Sequence, residues 1–147
     1  MLLALDPGDL TGLALFHDDG RLERRWIADL DHTLEYLEDC TDTISVIVIE
    51  DFILFRKRAQ SQVGSRFKAS QVIGAAKLFA RRQKAKVVIQ PSGILTIAEQ
   101  LSGVKKPSDH RKSHDIDAFN HGYYYLVAQH IIKPAAQQGL DTRNHIR

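Results

Sequence analysis

Cys40 is the only cysteine in 147 residues, which excludes an intramolecular disulfide framework and a zinc site built on several thiolates. No apolar stretch approaches the roughly 20 residues that a bilayer crossing requires, so a membrane-spanning helix is excluded as well. The opening Met1-Leu2-Leu3-Ala4-Leu5-Asp6 lacks a basic region and meets a carboxylate before a leader peptide could form. It reads as a buried strand, and a cytoplasmic protein is expected. There is no internal repeat and no low-complexity tract. Charge of one sign is also lacking: 20 Lys+Arg stand against 18 Asp+Glu, a net +2, which is too mild to identify a nucleic-acid binder. What is present is an ordinary globular composition, 44% hydrophobic and 26% charged, expected to form one domain over residues 1–133 with a loosely held tail over 134–147.

Charge is unevenly placed. Acids crowd into Asp29 to Asp42, and bases gather at Arg56-Lys57-Arg58, at Arg81-Arg82 with Lys84 and Lys86, and in Lys105, Lys106, Arg111 and Lys112. Two of these basic groups fall in expected loops, where they are either solvated surface or contacts to phosphate.

Hydrophobic periodicity supplies the elements. Leu2 to Leu5 and Ser45 to Ile49 are continuous apolar runs, the pattern of strands covered on both faces. Between them, Pro7-Gly8-Asp9 and Asp18-Asp19-Gly20 are turn signals that separate strands at Thr11 to Phe16 and Arg21 to Ile27, giving an antiparallel meander. Leu30, Leu34 and Leu37 mark a short amphipathic helix. Phe52 to Phe67 has no steady period and is expected as a loop or frayed helix entry. Helices are predicted over Ser70 to Arg82, from Pro91-Ser92 to Gly103 with Ile94, Leu95, Ile97, Ala98 and Leu101 as its buried stripe, and from a Ser113 cap to about Ile132. Lys86 to Gln90 is the fifth strand. The expected fold class is α/β: a right-handed crossover sets the fourth strand parallel to the first, giving a five-stranded mixed sheet of order 3-2-1-4-5 flanked by helices.

Asp6 and Glu50 each end one of the two central strands. Alone, either reads as a turn residue or an exit to solvent. Side by side they repel, and a bound cation accounts for the pair. His114 and Asp117, three residues apart at the start of the last helix, share a face, whereas Asp115 projects about 100° away from His114. Asp115 and Asp117 also suit the positive end of the helix dipole.

The motifs Leu5-Asp6-Pro7-Gly8 with Thr11-Gly12, Val46-Ile47-Val48-Ile49-Glu50 and His114-Asp115-Ile116-Asp117-Ala118 resemble those of the RuvC-type Holliday-junction resolvases of the RNase H-like superfamily. Weaker echoes are Val72-Ile73-Gly74-Ala75-Ala76 and Gln90-Pro91-Ser92, and the resemblance spans Leu2 to Leu126. It implies an RNase H-like fold, Asp6, Glu50 and Asp117 as metal-binding carboxylates with His114 in the fourth position, and a homodimer that makes paired nicks in four-way junctions in a bacterial cell or a phage-infected host. Two departures stand out. The stretch between Gly103 and His114 is short, so Lys105, Lys106, Arg111 and Lys112 are proposed substitutes for lysines that the family carries there. The aromatic wedge has two candidates, Phe52 and Phe55.

The ligand set favours Mg²⁺ or Mn²⁺, two ions about 4 Å apart activating water and stabilising the leaving oxygen of a phosphodiester. Asp6 is placed as the bridge, and His114 tilts the preference towards Mn²⁺. Branched DNA is the expected partner, held by Arg56, Lys57, Arg58 and the Lys105 to Lys112 cations, and a second copy is expected on the Ser70 to Phe79 helix, with Gly74-Ala75-Ala76 allowing close approach and Phe67 as an anchor. Competing readings are a YqgF-type RNA-processing nuclease, disfavoured by the Ile49-Glu50 strand end; a terminase nuclease, which normally follows a motor; a sugar-kinase or actin-like phosphate binder, which needs two lobes; and a non-catalytic junction-binding module.

Overall fold

In the computed structural model the structure describes residues 1–51, 63–107 and 113–135, with side chains from 68 onward in the second stretch. The strands are β1 (Leu2–Asp6), β2 (Thr11–Phe16), β3 (Leu22–Ala28), β4 (Val46–Asp51) and β5 (Lys86–Pro91), and the helices are α1 (Leu30–Asp39), α2 (Val63–Gln83), α3 (Leu95–Ser102) and α4 (His114–Ala128). They form one sheet of order β3-β2-β1-β4-β5, antiparallel across β1, β2 and β3 and parallel across β1, β4 and β5. This is the predicted order. The runs of branched residues in β1 and β4 occupy the middle because both of their faces are covered.

Strand alternation divides the core in two. Leu3, Leu5, Leu13, Leu15, Ile47 and Ile49 point to one face and pack with Leu37 of α1 and Ala76, Phe79 and Ala80 of α2. Leu2, Ala4, Ala14, Phe16 and Val48 point to the other, against Ala118, Tyr125 and Leu126 of α4. Ala4 and Ala14 keep the middle of the α4 face low, and two glycines bring helix and sheet closer still. A Cβ on Gly12 would collide with the carbonyl oxygen of His114, and one on Gly122 would collide with the Phe16 ring. The amino end of α4 is thus seated directly on β2.

Several expectations change in detail. Helix α2 starts at Val63 rather than Ser70. Helix α4 stops at Ala128, four residues short of Ile132, because His130 turns left-handed (φ 58°), and the Ile131 and His130 amides bond back to the carbonyls of Leu126 and Val127 at 2.9 and 3.0 Å. These bonds form a Schellman closure, which satisfies the last carbonyls without a glycine. The expected α3 stripe is not a core stripe: Ala98 is buried, Ile94, Leu95 and Leu101 are half-buried, and Ile97 is 50% exposed. Helix α3 packs chiefly on α4 rather than across the sheet, so it has a narrower face to cover. Ser113 stands at the N-cap of α4, but its hydroxyl makes no capping bond. On α2, Ala76 belongs to the chain's own core, while Gly74 faces open space.

Candidate metal centre

Parity and register together build the site. Asp6 continues the Leu2, Ala4 side of β1, Glu50 the Val46, Val48 side of β4, and Gln90 the Val88 side of β5, so all three side chains emerge on the α4 face. The pairing of Leu5 with Ile49 sets Asp6 level with Glu50, and Glu50 pairs with Gln90. Three polar side chains therefore stand in a row at the carboxyl ends of parallel strands, where sites in such sheets collect. Helix α4 lies over that row and adds His114, Asp117 and His121, all on one side of the helix at spacings of three and four residues.

His114 Nδ1 is 2.7 Å from Asp6 Oδ2. One ligand atom each from Asp6, His114 and Asp117 can be chosen so that all lie within 4.8 Å of one another. Asp117 is almost wholly buried, and its Oδ1 has no hydrogen-bond partner among the described residues. An ionised oxygen left in that state is costly, and a hard cation at the cluster would satisfy it. Two carboxylates and an imidazole are an oxygen-rich donor set that suits Mg²⁺ and, better, Mn²⁺. The residues fit a divalent ion.

Two neighbours complete the cluster. Lys106 Nζ lies 2.6 Å from Asp117 Oδ2, carried there by a segment that Asn120 pins: Ser102 Oγ donates to Asn120 Oδ1 at 2.7 Å, and Asn120 Nδ2 donates to the Val104 carbonyl at 3.2 Å. On the other flank, His121 has no solvent exposure. Its Nε2 lies 3.0 Å from Glu50 Oε2 and its Nδ1 2.7 Å from Gln90 Oε1. Nε2 carries the proton and donates to Glu50. At Nδ1 either a second ring proton or a turned Gln90 amide completes the bond.

No protein-family model matches the sequence, and no curated protein does. Solved structures do match. T. thermophilus RuvC in complex with a Holliday junction substrate is similar with a TM-score of 0.60 at 17% identity, covering 90% of this chain and 98% of that one. A second Thermus thermophilus RuvC structure gives 0.58 at 16%, with the same coverage. The fold is RuvC-type and RNase H-like.

Within this RuvC-type fold the electrostatics follow from burial. Desolvation pushes Asp6 up to about 6, helped by the charge of Glu50 and opposed by the hydrogen bond to His114. Asp117 is also raised, mainly by burial, with Lys106 pulling the other way. Burial acts on Glu50 in the same sense, but the hydrogen bond and charge of His121, with Asp6 and Lys106, bring it below its ordinary value. His114 is raised by its bond to Asp6. Perturbations of this kind gather where function is built.

Of the predicted ligands, Asp6, His114 and Asp117 come together, and Glu50 stands beside Asp6 but is bonded to His121. Asp115 points elsewhere, to Arg25 Nε at 3.2 Å. Lys106, expected as a phosphate contact, stands among the acids. Phe52, Phe55, Arg56, Lys57, Arg58, Arg111, Lys112 and the Phe67 side chain lie outside the described residues. Sequence reasoning missed His121 and the role of Gln90. The signal was available: His121 is four residues after Asp117 and seven after His114, and Gln90 ends its strand where Glu50 ends its own.

Proposed function

We propose that the protein is a metal-dependent endonuclease that hydrolyses DNA phosphodiesters at four-way junctions or other branched DNA. The observation that carries this reading is the gathering of Asp6, His114 and Asp117, with Glu50 alongside, at the strand ends of a RuvC-type fold. Asp6, Asp117 and Glu50 would hold Mg²⁺ or Mn²⁺, two ions per site, and His114 would ligate through its ring or orient the incoming water. When bound, the ions supply an activated water and charge stabilisation of the leaving oxygen.

The chain's own groups have separate tasks. His114 orients the Asp6 carboxylate through the 2.7 Å contact between its Nδ1 and Asp6 Oδ2. Lys106 neutralises Asp117 and is within reach of an incoming phosphate at the same cluster. Lys105, Lys106, Arg111, Lys112 and Arg56 to Arg58 would grip the backbone of the DNA, and Phe52 or Phe55 would serve as the wedge at the branch point. RuvC itself has been seen on a Holliday junction, and a junction is the substrate proposed here.

Paired incision of a two-fold symmetric junction needs two sites, hence a homodimer. The open side of α2 supports a partner there: a Cβ on Gly74 would meet nothing, Leu78 is 58% exposed, and the groove between α1 and α2 combines apolar residues such as Leu34 and Leu78 with the charged Glu38 and Arg82. The test is incubation with labelled junction, linear duplex, single strand and RNA hairpin, with and without Mn²⁺. Manganese-dependent cutting of the junction in preference to the rest is expected. Preferential RNA cutting would favour a YqgF-type enzyme, and junction binding without cutting a non-catalytic module.

A further inference from the structure

We infer that His121, anchored from behind by Gln90, is a positioning residue that presents Glu50 to the metal cluster. The inference rests on the metal-site reading above and adds a residue that the acidic motifs do not contain.

Asp6 and Asp117 are short, and their placement is largely set by the backbones of β1 and α4. Glu50 has one more rotatable bond and sits at a strand end that is only partly covered, so the backbone alone leaves its carboxylate several staggered positions. His121 removes that freedom. It reaches Glu50 Oε2 at 3.0 Å from α4, while Gln90, the register partner of Glu50 on β5, holds the far side of the same ring at 2.7 Å. The imidazole thus bridges two adjacent strand ends from the helix above and fixes the Glu50 carboxylate through one of its oxygens.

Simple packing is a poor account of this position. The ring has no solvent exposure, and an aliphatic side chain would fill the space without two nitrogens to satisfy. Both nitrogens are satisfied, and by the side chains at the ends of β4 and β5. Residues that orient metal ligands in this manner commonly change metal affinity by about 10- to 100-fold when removed.

The test is calorimetric titration of Mn²⁺ into the full chain for the wild type, His121→Leu, His121→Gln, Glu50→Gln and the Glu50→Gln/His121→Leu double variant, with folding checked by circular dichroism. His121→Leu is expected to weaken Mn²⁺ about 10-fold or more in the wild-type background and to do nothing further once Glu50 is replaced, the non-additivity of two residues acting through one group. His121→Gln, which retains a donor, should recover part of the loss. If His121→Leu does not fold, Gln90→Leu takes its place and should weaken Mn²⁺ only when Glu50 is present. Equal losses in both backgrounds, or no loss in a folded variant, would overturn the positioning role and leave the metal site standing. No Mn²⁺ binding by the wild type would overturn both.

Discussion

Lys106 Nζ stands 2.6 Å from Asp117 Oδ2, so an ammonium of the chain's own already lies among the acids proposed to hold metal. The ammonium and a divalent ion compete for the same oxygen, and binding one disfavours the other. Lys106→Met is therefore expected to tighten Mn²⁺ binding to the free protein, by about tenfold for a coupling of this type, while weakening affinity for junction DNA. Calorimetry and a binding assay on the same variant check both signs. Unchanged metal affinity would mean that the lysine leaves the cluster without cost.

Asp6 predicts a pH dependence. Unfolded it titrates near 3.8, and folded at about 6, so the native state holds the proton more tightly. Stability of the metal-free protein therefore rises as pH falls from about 6 towards 4 and is lower above 6, where a buried carboxylate must be ionised. His114, also raised, contributes stability that is present at acidic pH and lost as pH rises through its folded value. Asp6→Asn should accordingly raise the melting temperature at pH 7.5 without metal, on the order of several degrees, and abolish the steepening of Mn²⁺ affinity expected between pH 5 and 7. Thermal scans and titrations across that range test it.

Gly12 ties sheet to site. Its missing side chain lets the first turn of α4 rest on β2 and carries His114 to Asp6. Gly12→Ala must displace that turn, because the obstructing atom is backbone. A large loss of metal affinity in a chain that retains its sheet is the expected outcome, with circular dichroism and calorimetry as the paired readouts. Normal affinity would mean that the helix end moves freely.

The parts of this architecture that were legible in the sequence are those that periodicity controls. Two apolar runs ending in Asp6 and Glu50 announced the central parallel strands, and the meander and crossover rules then determined the sheet order. The His114 and Asp117 pair was readable from helical spacing, as was the exclusion of Asp115, which pairs with Arg25. What escaped depended on contacts between distant elements. His121 looked like any interior helix residue until β4 and β5 were in register beneath it, and Lys106 could be assigned a phosphate but not Asp117. The α3 stripe misled because apolar spacing reveals a face but not the size of the surface it meets. The end of α4 was missed because a left-handed histidine, unlike a glycine, carries little signal.

Assembly gives a further expectation. Leu78→Glu replaces an exposed apolar side chain in the groove between α1 and α2, beside Glu38, and should convert a dimer to a monomer in sedimentation at micromolar concentration, without loss of metal binding. A wild type that is monomeric both alone and with junction would leave single nicking of branched DNA as the better description.

The most direct measurement of the central claim is cleavage of a labelled four-way junction in Mn²⁺ by the wild type, Asp6→Asn, Asp117→Asn and Asp115→Asn, with junction binding measured in parallel. The wild type is expected to cut, Asp6→Asn and Asp117→Asn to bind without cutting, and Asp115→Asn to cut nearly normally. Undiminished cleavage by Asp6→Asn and Asp117→Asn would contradict that claim.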